Sequence, residues 1–263
     1  MYLETIIRLS FFLGILAMML ALESIWPRRS NMQRFQRWPG NFSIVACNAL
    51  LLAALPITAV GASVFAVQHQ FGLLNIVEWS LGVKMIVTVL VLDLAIYWQH
   101  RIFHMMPMFW RIHRMHHSDT AIDTSTGLRF HPVEIVISIL IKAGVIVLLG
   151  APILGVIAFE IILNGTAMFN HGNLRLPLWL DRILRSVLVT PDMHRVHHSV
   201  LPQEHHRNFG FCISLWDRIF TSYCDQPSKG HNHMQIGLPI FRETREARLD
   251  KMLTQPFRHS HNE

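Results

Sequence analysis

The feature that most restricts this chain is a series of long apolar runs, at about residues 5–22, 43–67 and 81–99, with a further one from about 133 to 170. Each of the first three approaches the roughly 20 residues a helix needs to cross a bilayer. The first run reads as a retained anchor and not a cleaved leader. Glu23, Ser24, Ile25, Trp26 and Pro27 offer no small-x-small cleavage site, and the charges follow the apolar run instead of preceding it. The fourth run is broken by Gly150, Ala151 and Pro152, and a proline cannot continue a helix through its missing N–H, so a helical hairpin is expected. Its first arm has about 17 residues, roughly 25 Å by helical rise, so a fully crossing pair and a re-entrant pair both fit. At 51% hydrophobic and 15% charged residues, the chain lies outside the usual balance of a soluble domain. The expected fold is all-α, an integral-membrane bundle of about four to five embedded helices.

Charge asymmetry gives the expected orientation. Arg28, Arg29, Arg34 and Arg37 follow the first run, whereas the connection at about 68–80 contains no Lys or Arg, so the basic loop should be cytoplasmic. Counting crossings from there brings every histidine cluster to the cytoplasmic face. The net charge of +6 reads as topology and headgroup contact, and no motif points to nucleic acid. Trp26, Trp79 and Trp98 fall at span ends, as interfacial tryptophans do. Leu176, Trp179, Leu180, Ile183, Leu184, Val187 and Leu188 recur at helical spacing opposite Arg175, Arg182 and Arg185, which fits a helix lying in the interface. Cys47, Cys212 and Cys224 follow no pattern and read as free thiols. The expected organisation is one structural domain with anchor helices over 1–92, a catalytic region over 93–225 and a polar C-terminal tail over 226–263. Within the tail, Arg242 to Lys251 should form a solvated helix, and His259 and His261 look unremarkable.

The chemistry is concentrated in three histidine clusters: His100 with His104; His113, His116 and His117; His194, His197 and His198. On a helix, positions i, i+3 and i+4 share a face, so each H-x-x-H-H presents three imidazoles together. Neutral imidazole is the commonest metal ligand and suits Fe, Zn, Cu and Ni, so spacing alone leaves the metal open. The chain has no H-E-x-x-H of a zinc protease and no repeated Glu-x-x-His of a carboxylate di-iron bundle. Asp93, Tyr97, His100 and His104 fall on one helix face, so Asp93 is expected to accept an N–H from a ligand imidazole, with a pair to Arg101 or Lys84 as the alternative. Glu160 and Glu134 are weaker candidates. His205 and His206 lie close enough to the third cluster to touch the site. Two other classes are a metal transporter, whose ligands should sit within its spans, and a membrane zinc-dependent hydrolase, which should place a general-base carboxylate near the metal.

His100-Arg101-Ile102-Phe103-His104, His113-Arg114-Met115-His116-His117 and His194-Arg195-Val196-His197-His198 resemble the three histidine boxes of the fatty acid hydroxylase and sterol desaturase superfamily. The resemblance continues through Arg129-Phe130-His131-Pro132, Asn170-His171-Gly172-Asn173, Asn208-Phe209-Gly210 and Trp216-Asp217-Arg218-Ile219-Phe220, over about residues 93–223. It implies a membrane-bound non-haem di-iron oxygenase with a cytosol-facing histidine-rich cap. Such an enzyme uses dioxygen to hydroxylate or desaturate a lipid such as a fatty acyl chain, a sterol or an ether or amino lipid. Carried over residue by residue, the ligands are His100, His104, His113, His116, His117, His194, His197 and His198, with His171 as the ninth. Ala167 stands where some members have another histidine, so His131 is a candidate to complete the second metal's set, or else a helix-start residue before Pro132. Asp93, Tyr97 and Asn173 are candidates for supporting contacts. Thr221 replaces the family's usual glycine. No nucleotide-binding, cysteine-cluster or haem segment is visible, so the two electrons are expected from an external reductase with a ferredoxin or b-type cytochrome.

Overall fold

The computed structural model describes residues 2–30 and 33–258, so His259 and His261 lie outside the described residues. The first eight helices are α1 (Tyr2–Ile25), α2 (Arg34–Ala54), α3 (Ala59–Gln68), α4 (Leu73–Ile76), α5 (Leu81–Met105), α6 (Pro107–His117), α7 (Pro132–Leu149) and α8 (Ile153–Asn170). They are followed by short helices α9 (Leu178–Leu184), α10 (Pro191–His197), α11 (Pro202–His205), α12 (Leu215–Ile219), α13 (Gly230–His233) and α14 (Leu249–Thr254). Among the described residues β-pairing is limited to isolated bridges. Five helical stretches are long and apolar enough to cross a membrane, and α7 and α8 supply one each. Each arm of this hairpin has 18 residues, a rise of roughly 27 Å.

The second span departs from expectation. The run at 43–67 is not one helix: α2 ends at Ala54, and α3 begins at Ala59 under a Thr58 cap. Pro56 is the cause. The residue before a proline is driven out of the helical region, and Leu55 is extended, at φ −76° and ψ 137°. Hydropathy continues through the break because the flanking residues stay apolar.

The same device shapes the end that carries the histidine boxes. Met106 precedes Pro107 and is extended, so α5 stops and α6 starts in a new direction. Consequently the second histidine box folds back beside the first. At the opposite end, Gly150 closes α7 in the left-handed conformation (φ +69°) and lies against Gly72 (φ +95°), where a side chain on either would strike the other's backbone. The Lys- and Arg-free connection therefore meets the hairpin tip on one face of the bundle, while the basic loop and all three histidine boxes occupy the other.

Inside the bundle, Leu92 and Ile96 of α5, Ile139 and Ile146 of α7, and Val156 and Phe159 of α8 form the main apolar core with Ala59 and Val60 of α3. Outward residues such as Leu9, Phe11, Ile86, Leu90, Leu140, Leu148 and Leu154 are exposed, as acyl-chain contact requires. On the cap, Leu178, Trp179, Ile183 and Val187 form an exposed apolar face. Arg185, expected on the polar side, instead turns inward to Asp181 and Asp225.

The segment expected as a polar tail is docked as far as Arg258. Met252 is fully buried against Ile44 and Met115, and the Gln255 side chain accepts from Ser118 at 2.8 Å. Residues 242–251 form a short 3-10 turn (Thr244–Ala247) and the start of α14, not a solvated helix. Cys47, Cys212 and Cys224 are free thiols.

Candidate metal centre

All nine histidines carried over as ligands converge at the cap. His100 and His104 come from the last turns of α5, and His113, His116 and His117 from α6; His194 and His197 lie on α10, with His198 and His171 just past the ends of α10 and α8. They sort into two groups whose ligand atoms lie within 4.8 Å of one another: His100, His104, His113, His117 and His197 in one, His116, His171, His194 and His198 in the other. All nine are buried.

Hydrogen bonding at the outer nitrogen dictates the tautomer. The Nδ1–H of His100 donates to the Phe209 carbonyl at 2.8 Å, that of His197 to Arg207 at 2.7 Å, that of His116 to Arg129 at 3.0 Å and that of His171 to Ala167 at 2.8 Å. A carbonyl only accepts, so each of these rings carries its proton on Nδ1 and leaves a bare lone pair on Nε2. His113 is held in the same way by the Glu134 carboxylate at 2.8 Å. Orienting partners of this kind fix the ring and raise ligand basicity.

The inward nitrogens fit metal ions. Nε2 of His100, His113, His117 and His197 is buried with no hydrogen-bond partner, a costly state for a polar atom unless another group completes it. In the second group, Nε2 of His171 lies 3.1 Å from Nε2 of His116 and 3.1 Å from Nε2 of His194. His116 and His171 both have their protons committed at Nδ1, so two lone pairs face each other. A cation between them removes the repulsion, and adjacent nitrogens on one metal, with bonds near 2.1 Å, stand about 3.0–3.4 Å apart.

Burial pushes His116, His117, His194, His197 and His198 well below the usual imidazole range, with neighbouring imidazoles adding to the shift. Burial likewise takes His171 down to about 4. These rings are neutral at neutral pH, the form that ligates.

Four residues expected beside the metals have other duties. Asp93 accepts from the Cys212 and Ile213 backbone N–H groups at 3.2 and 3.1 Å and from Trp216 Nε1 at 2.9 Å. It therefore pins the segment after the third box and orients no imidazole, and its expected alternatives, Arg101 and Lys84, are not its partners either. Tyr97 shares a hydrogen bond with Ser222 at 2.8 Å and accepts from Arg101. His131 caps α7, its Nδ1 accepting from Val133 N–H at 3.2 Å while Nε2 donates to the Leu253 carbonyl at 3.2 Å. Both of its nitrogens are used, so it completes no ligand set. Asn173 clamps the basic loop through the Arg29 backbone.

The role expected of Asp93 falls to Glu134, which the sequence had offered only as a weaker candidate. It is the third residue of α7, three positions after the His131 cap, and a carboxylate in the first turn of a helix that starts near the histidine boxes is the signal that could have favoured it. The backbone carbonyls of Phe209, Arg207 and Arg129 had no such signal.

Basic residues of the loop after α1 and of the first turn of α2 bind this assembly. Arg37 is buried in ion pairs with Asp119 and Asp123, and Arg28 pairs with Asp192 at 3.2 Å. Asp119 is held down to about 2, its pairing with Arg37 outweighing its own desolvation.

The fatty acid hydroxylase family model matches residues 85–222, just over half of the chain. Among curated proteins, ornithine lipid hydroxylase OlsE of Rhizobium tropici is 25% identical over 57% of this chain and 44% of its own length. Alkylglycerol monooxygenase of Danio rerio is 28% identical over 52% of this chain and 30% of its own. Delta(7)-sterol 5(6)-desaturase ERG3B of Gibberella zeae is 26% identical over 56% and 46%. The matches thus span less than half the length of each of these relatives. No solved structure matches the chain. With its long apolar helices, its buried histidine groups and this match, the chain is a multi-pass membrane protein that belongs to the fatty acid hydroxylase family.

Proposed function

We propose that this protein is a membrane-bound non-haem di-iron oxidoreductase that uses dioxygen and external electrons to hydroxylate or desaturate a lipid. The observation that carries the reading is the pair of buried imidazole groups, in one of which the Nε2 lone pairs of His116 and His171 face each other at 3.1 Å. His100, His104, His113, His117 and His197 would hold one iron, and His116, His171, His194 and His198 the other. When bound, the two ions would supply dioxygen activation and attack on an unactivated C–H bond.

The chain's own residues set the conditions for that chemistry. Phe130 stacks on His116 at 4.6 Å, and Phe211 approaches His100 and His171 at 6.2 and 6.4 Å. Together they form an apolar wall between the histidines and the bundle core, which excludes water and suits an acyl chain arriving from the bilayer. The relatives' names point to polar-headed lipids, ether lipids and sterols as the classes to test first. Electrons would come from a separate reductase through a ferredoxin or b-type cytochrome. The basic loop shares the histidine face, which favours a cytoplasmic site.

A hydrolase would need a free carboxylate as general base. Neither group contains one, and Glu134 meets His113 through Oε1 at the ring's Nδ1, on the side away from the inward Nε2.

The test is lipid mass spectrometry on cells with and without the protein, using His197→Ala as control. A product heavier by one oxygen or lighter by two hydrogens is expected with the wild type alone. An unchanged lipid profile across the tested classes would sink the proposal. A reporter fused after His198 should read cytoplasmic.

A further inference from the structure

The clustered imidazoles are deeply buried, none more than 6% exposed, so a metal ion must reach them by a route through the cap. Shedding its water all at once is prohibitive for a divalent cation, and a workable route therefore carries donors along its length. One such route is visible.

In the five-imidazole group, neither ring nitrogen of His104 has a hydrogen-bond partner, although both are buried, a state shared by His198 in the other group. His100, His113 and His197 in the same group are each fixed at Nδ1. His104 is also the ring of this group that lies beside an exposed histidine. His206 is exposed and sets its ring edge-on to His104 at 5.6 Å. His205 lies 4.4 Å from His206 and 6.3 Å from both His104 and His117. Trp110 stacks on His205 at 5.3 Å and also contacts His104 at 4.9 Å, so it braces the approach. The His205 Nδ1–H donates to the Ser199 carbonyl at 3.1 Å, which leaves its Nε2 as a donor atom for a metal.

We propose that His205 and His206 form a capture site for an incoming divalent transition-metal ion, which the unanchored His104 ring passes to the five-imidazole group. The inference rests on the metal-centre reading above. Imidazole suits Fe(II), Co(II) and Zn(II) alike, so the route selects charge and ligand type, and the inner groups select the metal.

The test uses the metal-free full chain in detergent with Co(II) as probe. Its visible absorption is followed by stopped flow, and final content is read by elemental analysis. His206→Ala alters an exposed side chain, and His205→Gln is a second variant. Both variants should load more slowly than wild type, reach the same final content, and release metal to a chelator more slowly by the same factor, because a route that speeds entry also speeds exit. Wild-type rates in both variants would overturn the proposal. So would a lower final content, which would make these histidines permanent ligands or structural groups. If the wild type binds no Co(II), the metal-centre reading itself fails, an outcome distinct from unchanged rates.

Discussion

Glu134 accepts the Nδ1–H of His113 at 2.8 Å, tying the first turn of α7 to the second histidine box on α6. This carboxylate holds the ring in the tautomer that aims Nε2 into the five-imidazole group. Glu134→Ala should weaken metal retention by about 10- to 100-fold. Glu134→Gln, which keeps an acceptor oxygen, should restore most of it. Elemental analysis after dialysis against graded chelator reads the difference, and equal retention by wild type and the alanine variant would refute the role.

Asp93 supports the site from a distance. Its carboxylate pins Cys212, Ile213 and Trp216, close after the Phe209 carbonyl that orients His100. Asp93→Ala leaves three donors unpaired, the Cys212 N–H buried and those of Ile213 and Trp216 half-buried, at up to about 1–3 kcal/mol for the buried one. Thermal unfolding in detergent should show a large loss of stability. The protein that survives should still bind metal with the wild-type absorption spectrum, whereas an altered spectrum would mean that Asp93 orients a ligand after all.

His131 caps a helix. Replacing it with alanine should cost about 1 kcal/mol and leave metal stoichiometry unchanged, and His131→Asn should recover the stability. Loss of one metal ion per chain in His131→Ala would restore the residue to the ligand set.

Buried imidazoles make stability depend on pH with a definite sign. His171 falls from its ordinary 6.5 to about 4 in the folded chain, and its neighbours on α6 and α10 are lowered as well. The unfolded chain therefore binds more protons, so stability is fully present above about 6.5 and declines as pH falls toward 4. Metal-free protein should show a falling melting temperature across that window, and bound metal should delay the fall. A flat profile between pH 7 and 4 would contradict the tautomer and burial argument.

The boxes were legible in the sequence because the chemistry demands histidine and the helix places i, i+3 and i+4 together. The spans were legible because lipid demands apolar residues. The break at Pro56 was written in the sequence too, but hydropathy reads composition and passes over a backbone constraint. Asp93 was misjudged for another reason: helix-face arithmetic says which residues align and not which neighbour they meet, and Asp93 meets the chain about 120 residues later. The carbonyls of Phe209, Arg207 and Arg129 could not be read at all, since every residue has one. Gln255 and Met252 were hidden within a charge-rich stretch, yet they are what docks it on the cap.

The most direct measurement is to load the purified protein anaerobically with iron, count the metal, and supply ¹⁸O-labelled dioxygen, a reductase system and membrane lipid. Two irons per chain are expected, one for each histidine group, together with a lipid product that either carries the label or has lost two hydrogens. A protein that retains only zinc, or turns over lipid equally well without oxygen, would contradict the account.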